Sequence, residues 1–555
     1  MILEFIDIAG FRGISQLRLP LEEDNLLIGE NAWGKSSLLD VLTLILSPRA
    51  EPYTFSAQDF YQPATGPACR PQRLWLALTW RESEAGEAAT PRWQGLSSLW
   101  QRGEGGLQRV HLRIDGQLQA DGEVTTRRRF VDAHGEPLLT EGEATAALES
   151  LVRLSPVLRL RDARFNARLP REALAGSDEA RFNELVRQME SLTRDHPTLS
   201  EQLSEQTLRQ GLRTLQQLLA HYFSLDQHSV AEPARRLTPG ERDNDNGWRH
   251  LDRIHHLIAD ADSRSRRQIL LRLFGLLTQA RGAWQLDANA RPLLLIEDPE
   301  TRLHPIMLSV AWGLFSQLPL QKITTTNSSE LLSQVPMGQV CRLVREAERV
   351  VAWRLGPGGM SAEESRRIAF HIRFNRPSAL FARCWLLVEG ETEVWLMNEL
   401  ARQCGYHFAT EGIRIIEFAQ SGLRPLLKFA QRMGIGWHVL TDGDDAGKKY
   451  AAIARSLLHP GDEEKNHLTQ LPTLDMEHFL YKQGFSAVYH RHAHLPDNVP
   501  IAMRRVIAKA IHHSSKPELA MAVVQDAAER GPDAVPLLLQ TLFARLQRLA
   551  RRGVE

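Results

Sequence analysis

The chain has 555 residues, a length that accommodates several domains of ordinary size. Apolar residues make up 43% of it and charged residues 24%, a balance that excludes a mainly disordered chain. Its 67 Lys and Arg residues equal its 67 Asp and Glu residues, which excludes a protein that coats nucleic acid through a general basic excess. Any contact with nucleic acid must therefore use a local patch or metal ions.

The four cysteines are too scattered to predict a disulfide framework or a zinc ribbon. The first residues, MILEFIDIAGFRGI, carry charges within their apolar run and do not resemble a signal peptide. No apolar run approaches the roughly 20 residues that a membrane-spanning helix needs. We therefore expect a soluble, cytoplasmic protein that does not associate with a membrane.

The first part of the chain predicts a hairpin, a buried strand and a helix. Two apolar or alternating runs flank a turn at Gly10–Gly13, as in a hairpin. An amphipathic helix is predicted over 35–46, and further strands over 70–140, with exposed hairpins or loops in the Gly-rich part from 100 to 145. The early strands are predicted over 2–8, 15–19 and 25–28.

The middle of the chain changes character. A helical insert is predicted over about 165–230, followed by a polar loop rich in Pro and Gly over 228–247. Beyond it we expect an amphipathic helix over 266–280 and a purely apolar strand over 292–296, of the kind buried in parallel sheets.

Composition shifts again over 355–378, which predicts the main domain boundary. Strands and helices then alternate, as in a small parallel α/β unit, and a helical tail begins near 486. The predicted domains are residues 1–375, 376–485 and 486–555. Within the α/β unit, strands are predicted over 385–388, 413–418 and 437–441, and helices over 391–403, 423–433 and 446–457.

A glycine loop between the buried strand and the helix fits the pattern GxxxxGK[ST]. Glycines let backbone N–H groups curl around phosphate oxygens, and the helix N-terminus adds its positive dipole. Lys35 would reach the β- and γ-phosphates, and the Ser36 hydroxyl would bind Mg²⁺. The predicted nucleotide-binding residues of this loop are Gly29, Asn31, Gly34, Lys35, Ser36 and Ser37.

A second nucleotide element is predicted in the segment LLLIEDPETRLHP, which begins at Leu293. Two adjacent acids at the end of a buried strand are costly unless they face a cation. Glu297 is therefore a candidate for the Mg²⁺ shell, and Asp298 for orienting the water that attacks ATP.

The two elements together resemble the ABC ATPases of the SMC and recombination class, in which two heads close over ATP. Arg12, within GFRG, resembles an arginine that proteins of this class place near the nucleotide. The signature loop of the class resembles residues 237–241, whereas spacing favours residues 262–265, and the choice stays open. The resemblance implies a homodimer that binds and hydrolyses ATP.

Two residues depart from the pattern of this class. Asp298 stands where Glu is usual, and Asn327 stands where a switch histidine is usual. Asparagine can hydrogen-bond a phosphate oxygen but cannot carry a proton. We therefore expect slow ATP turnover, below about 10 s⁻¹, with nucleotide acting as a switch.

Carboxylates follow two strands of the predicted α/β unit. Glu389 ends the strand 385–388, with Glu393 one turn into the next helix, and Asp442 and Asp444 end the strand 437–441. Strand ends meet at one edge of a parallel sheet, so these side chains should converge. Such a cluster needs hard cations, and two Mg²⁺ ions about 4 Å apart could drive phosphodiester hydrolysis.

VEGxxE followed by DxD resembles Toprim, and a P-loop ATPase followed by Toprim resembles the overcoming lysogenization defect (OLD) family of ATP-dependent nucleases. The resemblance implies an α/β fold: an ABC-type ATPase head with a helical insert, then a Rossmann-like Toprim domain and a helical C-terminal region. It also makes Glu477 a metal-ligand candidate and Lys516 a candidate for stabilising charge at the scissile phosphate, while the role of Asp475 stays open. The helical insert resembles the dimerisation arm of the family.

The predicted function is thus an ATP-regulated endonuclease that cuts or nicks DNA, with ATP, one Mg²⁺ beside it and two Mg²⁺, Mn²⁺ or Ca²⁺ ions at the Toprim site. One alternative is an SMC-like DNA-binding ATPase without nuclease activity. Another is a Toprim topoisomerase or primase, although a topoisomerase needs a tyrosine near the acids. RNA as substrate and an unidentified protein partner also stay open.

Overall fold

A computed structural model of the chain describes residues 1–31, 33–47, 51–62, 73–160, 290–301, 303–318, 320–356, 358–496 and 501–551. The predicted helical insert, the loop 228–247, the helix 266–280 and both candidate signature segments lie outside these ranges. The chain divides into two compact units: Met1–Val335 with Arg349–Val351, and Pro336–Glu348 with Ala352–Glu555. None of the helices in the described ranges is long and apolar enough to cross a membrane.

The first unit contains an antiparallel and a parallel group of strands. The predicted hairpin is confirmed: β1 (Ile2–Phe11) and β2 (Ile14–Pro20) pair antiparallel, and Phe11 and Ile14 form the pair next to the turn. The antiparallel group runs β5-β6-β4-β1-β2, with β7 on β6, and the parallel group runs β3-β10-β9-β8. The other strands are β3 (Asp24–Ile28), β4 (Arg73–Arg81), β5 (Gln101–Arg102), β6 (Gln108–Leu118), β7 (Val124–Val131), β8 (Val157–Leu160), β9 (Leu293–Glu297) and β10 (Lys322–Thr325).

Burial explains why these segments are strands. Alternate residues of β4 are buried, whereas the first four residues of β9 are all buried, as expected for a central parallel strand. The predicted strands and hairpin between 100 and 145 are confirmed by β6 and β7, which pair antiparallel, but the predicted exposure was wrong in part because alternate residues of β6 are buried. The helices of this unit are α1 (Lys35–Leu46), α2 (Glu141–Leu154), α3 (Pro305–Gln317) and α4 (Ser329–Gln334).

The second unit is built around a four-stranded parallel sheet in the order β14-β13-β15-β16. All five residues of β13 are buried, which requires cover on both faces. Its four strands are β13 (Cys384–Val388), β14 (Ile413–Glu417), β15 (Gly436–Thr441) and β16 (Leu468–Gln470). Two strands outside this sheet are β11 (Val340–Arg345) and β12 (Val350–Arg354), and the first two residues of β12 belong to the first unit.

The C-terminal helices share one apolar core with this sheet. Leu386 and Val388 of the central strand belong to the same buried cluster as Leu519, Leu542 and Phe543 near the C-terminus. The helices are α5 (Ala362–Ile368), α6 (Glu391–Gln403), α7 (Leu423–Arg432), α8 (Asp445–Arg455), α9 (Glu464–His467), α10 (Met476–Leu480), α11 (Ser486–His492), α12 (Met503–His513), α13 (Lys516–Arg530) and α14 (Leu537–Arg551).

Candidate nucleotide site and candidate metal centre

The glycine loop has the backbone conformation that its sequence predicts. Gly34 caps α1 with φ 87° and Gly29 has φ 152°, values that residues with a side chain rarely adopt. A Cβ atom on Gly34 would lie 2.8 Å from Cγ1 of Ile14. The loop therefore needs glycine at position 34 both for conformation and for space.

Lys35 is buried and held by two oxygen atoms. Its Nζ donates to the carbonyl oxygen of Gly29 at 2.6 Å and to Oδ1 of Asn327 at 2.7 Å. Burial lowers the pKa of Lys35, against the opposing effect of the Asp298 and Glu300 carboxylates. The structure thus brings together the P-loop lysine and the candidate switch residue, while Ser36 and Asn31 are exposed beside them.

Glu297 ends β9 in an ion pair that the sequence did not predict. Its Oε2 accepts hydrogen bonds from Nε and Nη2 of Arg159 at 3.0 and 2.7 Å. The Arg159 side chain is only 7% exposed and its Nη1 also donates to Asp40 Oδ1 at 2.6 Å. The sequence signal for this ion pair was the arginine within the otherwise apolar strand VLRL, because a buried arginine needs an acidic partner.

Arg12 extends this chain of charges. Its Nη1 donates to Asp40 Oδ2 at 2.7 Å, and its Nη2 to Asp59 Oδ1 at 2.9 Å. Ser37 lies next to the same turn, where its Oγ accepts from the N–H of Gly13 at 3.3 Å. Arg12 is therefore already paired with two carboxylates next to the P-loop helix.

Asp298 and Glu300 hold the segment after β10. Oδ1 of Asp298 accepts from Thr325 Oγ1 at 2.9 Å. Glu300 accepts from the N–H of Asn327 at 2.6 Å and from Thr326 Oγ1 at 2.9 Å. Burial raises the pKa of Glu300, against the lowering effect of the Asn327 N–H. Glu300 was not predicted, although the third acid in EDPE was a visible signal.

In the second unit, the candidate metal ligands follow the carboxyl ends of adjacent strands β13 and β15. Glu389 comes directly after β13, and Asp442 and Asp444 come directly after β15. Glu393 Oε2 accepts from the N–H of Gly390 at 2.9 Å, and Asp444 Oδ1 accepts from the N–H of Gly447 at 2.6 Å. Both hydrogen bonds fix acids at the N-termini of helices that leave this edge.

These carboxylates lie within electrostatic range of one another. Burial and then the neighbouring charges of Glu389, Glu393, Asp475 and Glu477 raise the pKa of Asp442 to about 7. Burial also raises the pKa of Glu389, with further contributions from Asp444 and Glu393 and an opposing one from Lys516. Like charges disfavour one another's ionisation only when they lie close together.

Lys516 lies at this edge as well. Its Nζ is 2.9 Å from Oε1 of Glu477. Burial by itself would lower the pKa of Lys516, but its hydrogen bond and charge pairing with Glu477, together with Glu393 and Asp475, raise it. Glu477 and Lys516, which are far apart in sequence, therefore meet beside Asp442.

Two further side chains near the acids were missed. Oδ1 of Asp475 accepts from Nδ1 of His478 at 2.6 Å as well as from the His478 N–H at 2.8 Å. Tyr450 of α8 has a pKa raised by burial and then by Glu389 and Asp444. The sequence held a weak signal for His478, because it stands directly after the DxE element.

The donor set fits a hard divalent cation, because all its atoms are carboxylate oxygens. A cation would also relieve the repulsion that raises the pKa of Asp442. Within the part of the chain that the structure describes, no three or more His, Cys, Asp or Glu side chains are close enough to enclose an ion as they stand. Repulsion acts over longer distances than coordination bonds, so the acids influence one another's pKa without enclosing an ion site.

Family models divide the chain near residue 380. One described as "Protein of unknown function (DUF2813)" matches residues 1–379. One described as "Overcoming lysogenization defect protein-like, TOPRIM domain" matches residues 380–444, which include Glu389, Asp442 and Asp444. The uncharacterized protein YbjD of Escherichia coli (strain K12) is 55% identical over 553 residues, 99% of each chain.

Solved structures overlap with each part. The C-terminal region of the Burkholderia pseudomallei OLD protein is 18% identical, with a TM-score of 0.27, over 31% of this chain and 99% of that one. The SMC head domain from Thermotoga maritima is 11% identical, with a TM-score of 0.28, over 64% of this chain and 100% of that one. At these TM-scores neither overlap bears on the function of this chain.

The fold is α/β, with a first unit that contains the glycine loop, followed by a Toprim sheet and C-terminal helices. Because a family model covers more than half of the sequence and YbjD matches nearly all of it, the chain belongs to the DUF2813 family and carries a Toprim domain of the OLD type.

Proposed function

We propose that this protein is an ATP-binding and ATP-hydrolysing endonuclease that cleaves DNA with divalent metal ions, and that ATP regulates the cleavage. The observation that carries the proposal is the set of acids that follows the carboxyl ends of the adjacent strands β13 and β15, where burial and then the neighbouring carboxylates raise the pKa of Asp442 to about 7. A purely structural role would not favour so many acids beside one buried aspartate.

The side chains at the edge of the Toprim sheet have distinct roles in this proposal. Glu389, Asp442, Asp444 and Glu477 would hold two Mg²⁺ or Mn²⁺ ions, with Glu393 supporting them. Metal ions in such sites activate a water and stabilise the leaving oxygen of a phosphodiester. Lys516, held by Glu477, would donate to a phosphate oxygen as negative charge develops there.

The test is cleavage of supercoiled plasmid by the purified protein with Mg²⁺ or Mn²⁺, with and without ATP. We expect Glu389→Ala and Asp442→Ala to lower cleavage more than about 100-fold, because even partners of metal ligands cost 10–100-fold. Asp445→Asn is the matched control, because Asp445 adjoins Asp444 but its side chain is 92% exposed and pairs with Lys448. Wild-type cleavage by both alanine variants would refute the metal site.

At the ATPase site, Lys35 would exchange its contacts with Gly29 and Asn327 for phosphate oxygens. Ser36 and Glu297 would hold the Mg²⁺ that accompanies ATP, and Asp298 would orient the attacking water. The effect of ATP on plasmid cleavage by the wild-type protein and by Lys35→Ala measures the coupling. If ATP alters cleavage equally in both, regulation through this site is refuted.

Tyr450 is the observation that favours a second candidate, a Toprim topoisomerase, because it lies within electrostatic range of Glu389 and Asp444. Such an enzyme would form a phosphotyrosine bond to DNA. Denaturing the reaction mixture distinguishes them: a covalent protein–DNA adduct that Tyr450→Phe abolishes would establish the topoisomerase, and free nicked DNA the nuclease.

A further inference from the structure

A groove of about 630 Å³ adjoins the candidate metal centre in the second unit. It is lined by residues of the loop before α10, by α10 and the turn after it, and by the start of α12. The lining residues used below are Gly443, Leu474, His478, Lys482, Met503 and Arg504.

The groove is fixed next to the carboxylates by tight packing. Gly443, between Asp442 and Asp444, donates its N–H to the carbonyl oxygen of Thr473 at 3.0 Å. A Cβ atom on Gly443 would collide with that oxygen and lie 2.7 Å from the carbonyl oxygen of Leu471. The wall of the groove and the Asp442–Asp444 loop are therefore in direct contact.

His478, which lines this groove, has a ring nitrogen without a hydrogen-bond partner. The residue is 8% exposed, and its Nε2 is buried with no hydrogen-bond partner in the structure. Its Nδ1 lies 2.6 Å from Asp475 Oδ1, and since a carboxylate only accepts, Nδ1 carries the hydrogen. Asp475 thus fixes the ring, and in the neutral ring Nε2 is an acceptor for a ligand N–H or O–H.

The rest of the lining offers positive charge and an apolar surface. Lys482 and Arg504 are both exposed, and neither has an acidic partner among the described residues. In a chain with zero net charge, two such cations beside one groove form a local patch that suits phosphates. Leu474 is 46% exposed, and it lines the groove together with Met503.

We propose that this groove binds an unpaired nucleotide of the DNA strand next to the phosphodiester to be cleaved. Lys482 and Arg504 contact its phosphates, Leu474 and Met503 pack against its base, and Nε2 of His478 accepts a hydrogen bond from the edge of the base. The proposal rests on the proposed nuclease function and adds to it a preference for unpaired DNA.

The depth of His478 is the reason that the nucleotide must be unpaired. A side chain that reads a duplex has to protrude into a groove of the DNA. His478 instead lies almost wholly below the surface, so a base reaches it only after leaving the stack. Phosphate binding alone would leave Nε2 and the apolar surface without a function.

The test is binding of the full-length protein to fluorescein-labelled DNA in EDTA, measured by anisotropy. The strands are about 20 nucleotides long, beyond the usual single-strand site of 4–16 nucleotides. They are offered as single strand, perfect duplex, duplex with one unpaired nucleotide, and an RNA single strand of the same sequence. We expect the single strand and the bulged duplex to bind at least fivefold more tightly than the perfect duplex.

Charge removal tests the phosphate contacts. We expect Lys482→Gln and Arg504→Gln each to weaken single-strand binding and to lower the salt slope by about 0.7. The matched controls are Arg414→Gln and Lys465→Gln, which remove the same charges near the amino ends of β14 and β16. An equal loss of affinity in the control variants, or no loss in the groove variants, would refute the proposed phosphate contacts of Lys482 and Arg504.

Two substitutions of His478 separate its two nitrogens. Asparagine places an amide near the Nδ1 position, so it keeps a donor for Asp475 but has no atom at the Nε2 position. Glutamine instead places a polar atom near the Nε2 position. We expect His478→Asn to abolish the preference for unpaired DNA and His478→Gln to retain part of it, with fluorescent ATP binding unchanged in both. The opposite order would overturn the role of Nε2.

These binding results are independent of cleavage. Preference for unpaired DNA without metal-dependent cleavage would refute the nuclease and leave the groove intact. Cleavage that depends on Glu389 and Asp442, with equal binding of duplex and single strand, would refute the groove and leave the nuclease intact. Tighter binding of the RNA strand would overturn the assignment to DNA.

Discussion

Asp298 combines a functional position with an unusual backbone. Its φ of 39° lies in the left-handed region, which Asp and Asn tolerate better than most residues. Its carboxylate accepts a hydrogen bond from Thr325, which fixes the orientation of the Asp298 side chain. The same stretch after β10 includes Asn327, whose N–H donates to Glu300. Among substitutions, asparagine therefore removes the charge with the least disturbance of the backbone.

We expect Asp298→Asn to bind ATP like the wild type but to hydrolyse it 10²–10⁴-fold more slowly, the usual range for a lost general base. Phosphate release and binding of a fluorescent ATP analogue measure the two effects separately. Wild-type turnover is itself expected to be below about 10 s⁻¹. A variant that hydrolyses ATP within threefold of the wild-type rate would show that Asp298 has no catalytic role.

His438 makes the stability of the Toprim sheet depend on pH. Burial lowers the pKa of its imidazole to about 3, partly opposed by the hydrogen bond to the carbonyl oxygen of Asn466. Below its ordinary pKa of 6.5 the unfolded chain takes up a proton that the folded protein refuses. Stability is therefore complete above that value and is lost as pH falls towards 3.

We expect His438 to cost about 1.4 kcal/mol of unfolding free energy for each pH unit below 6.5. Urea unfolding at pH 7.5 and at pH 5 measures the loss. His438→Gln has no group that titrates in this range, so its stability should change less between the two values than that of the wild type. Equal changes in both proteins would contradict a depressed pKa at His438.

At the scale of elements, the Toprim edge depends on loops that pack without space for a side chain. Gly443→Ala would force the Asp442–Asp444 loop away from the carbonyl oxygens of Leu471 and Thr473. We expect it to lower the melting temperature and to abolish cleavage while ATP binding persists. Gly338→Ala is the control, because nothing lies within 4 Å of a Cβ atom there. A Gly443→Ala variant as stable and active as the control would refute the close packing.

The elements themselves were largely predictable. Apolar runs such as β9 and β13 and the periodicity of α1 and α6 follow from burial, so the sequence pattern predicts them. In the region of β6 the pattern predicted a strand and hairpin but not their burial, because a strand with Gly116 and several charges has the composition of an exposed segment.

At the scale of the whole molecule, the resemblance to two-headed ATPases predicts an ATP-dependent homodimer. We expect the Asp298→Asn variant with ATP to have twice the monomer mass by light scattering, because bound ATP persists when hydrolysis is slow. Lys35→Ala with ATP should stay at the monomer mass. A mass that does not respond to ATP in Asp298→Asn would refute a nucleotide-driven dimer.

The sequence by itself determined the fold class, the family and the two kinds of candidate site, because glycine loops and strand-terminal acids have fixed spacings along the chain. Only the tertiary structure decided which charges meet: Arg159 with Glu297, Lys516 with Glu477, and His478 with Asp475 beside the groove. The first two pairs join residues more than 30 positions apart, and no local pattern specifies such partners. His478 is close to Asp475 in sequence, but its buried, unpartnered nitrogen is set by the packing around it.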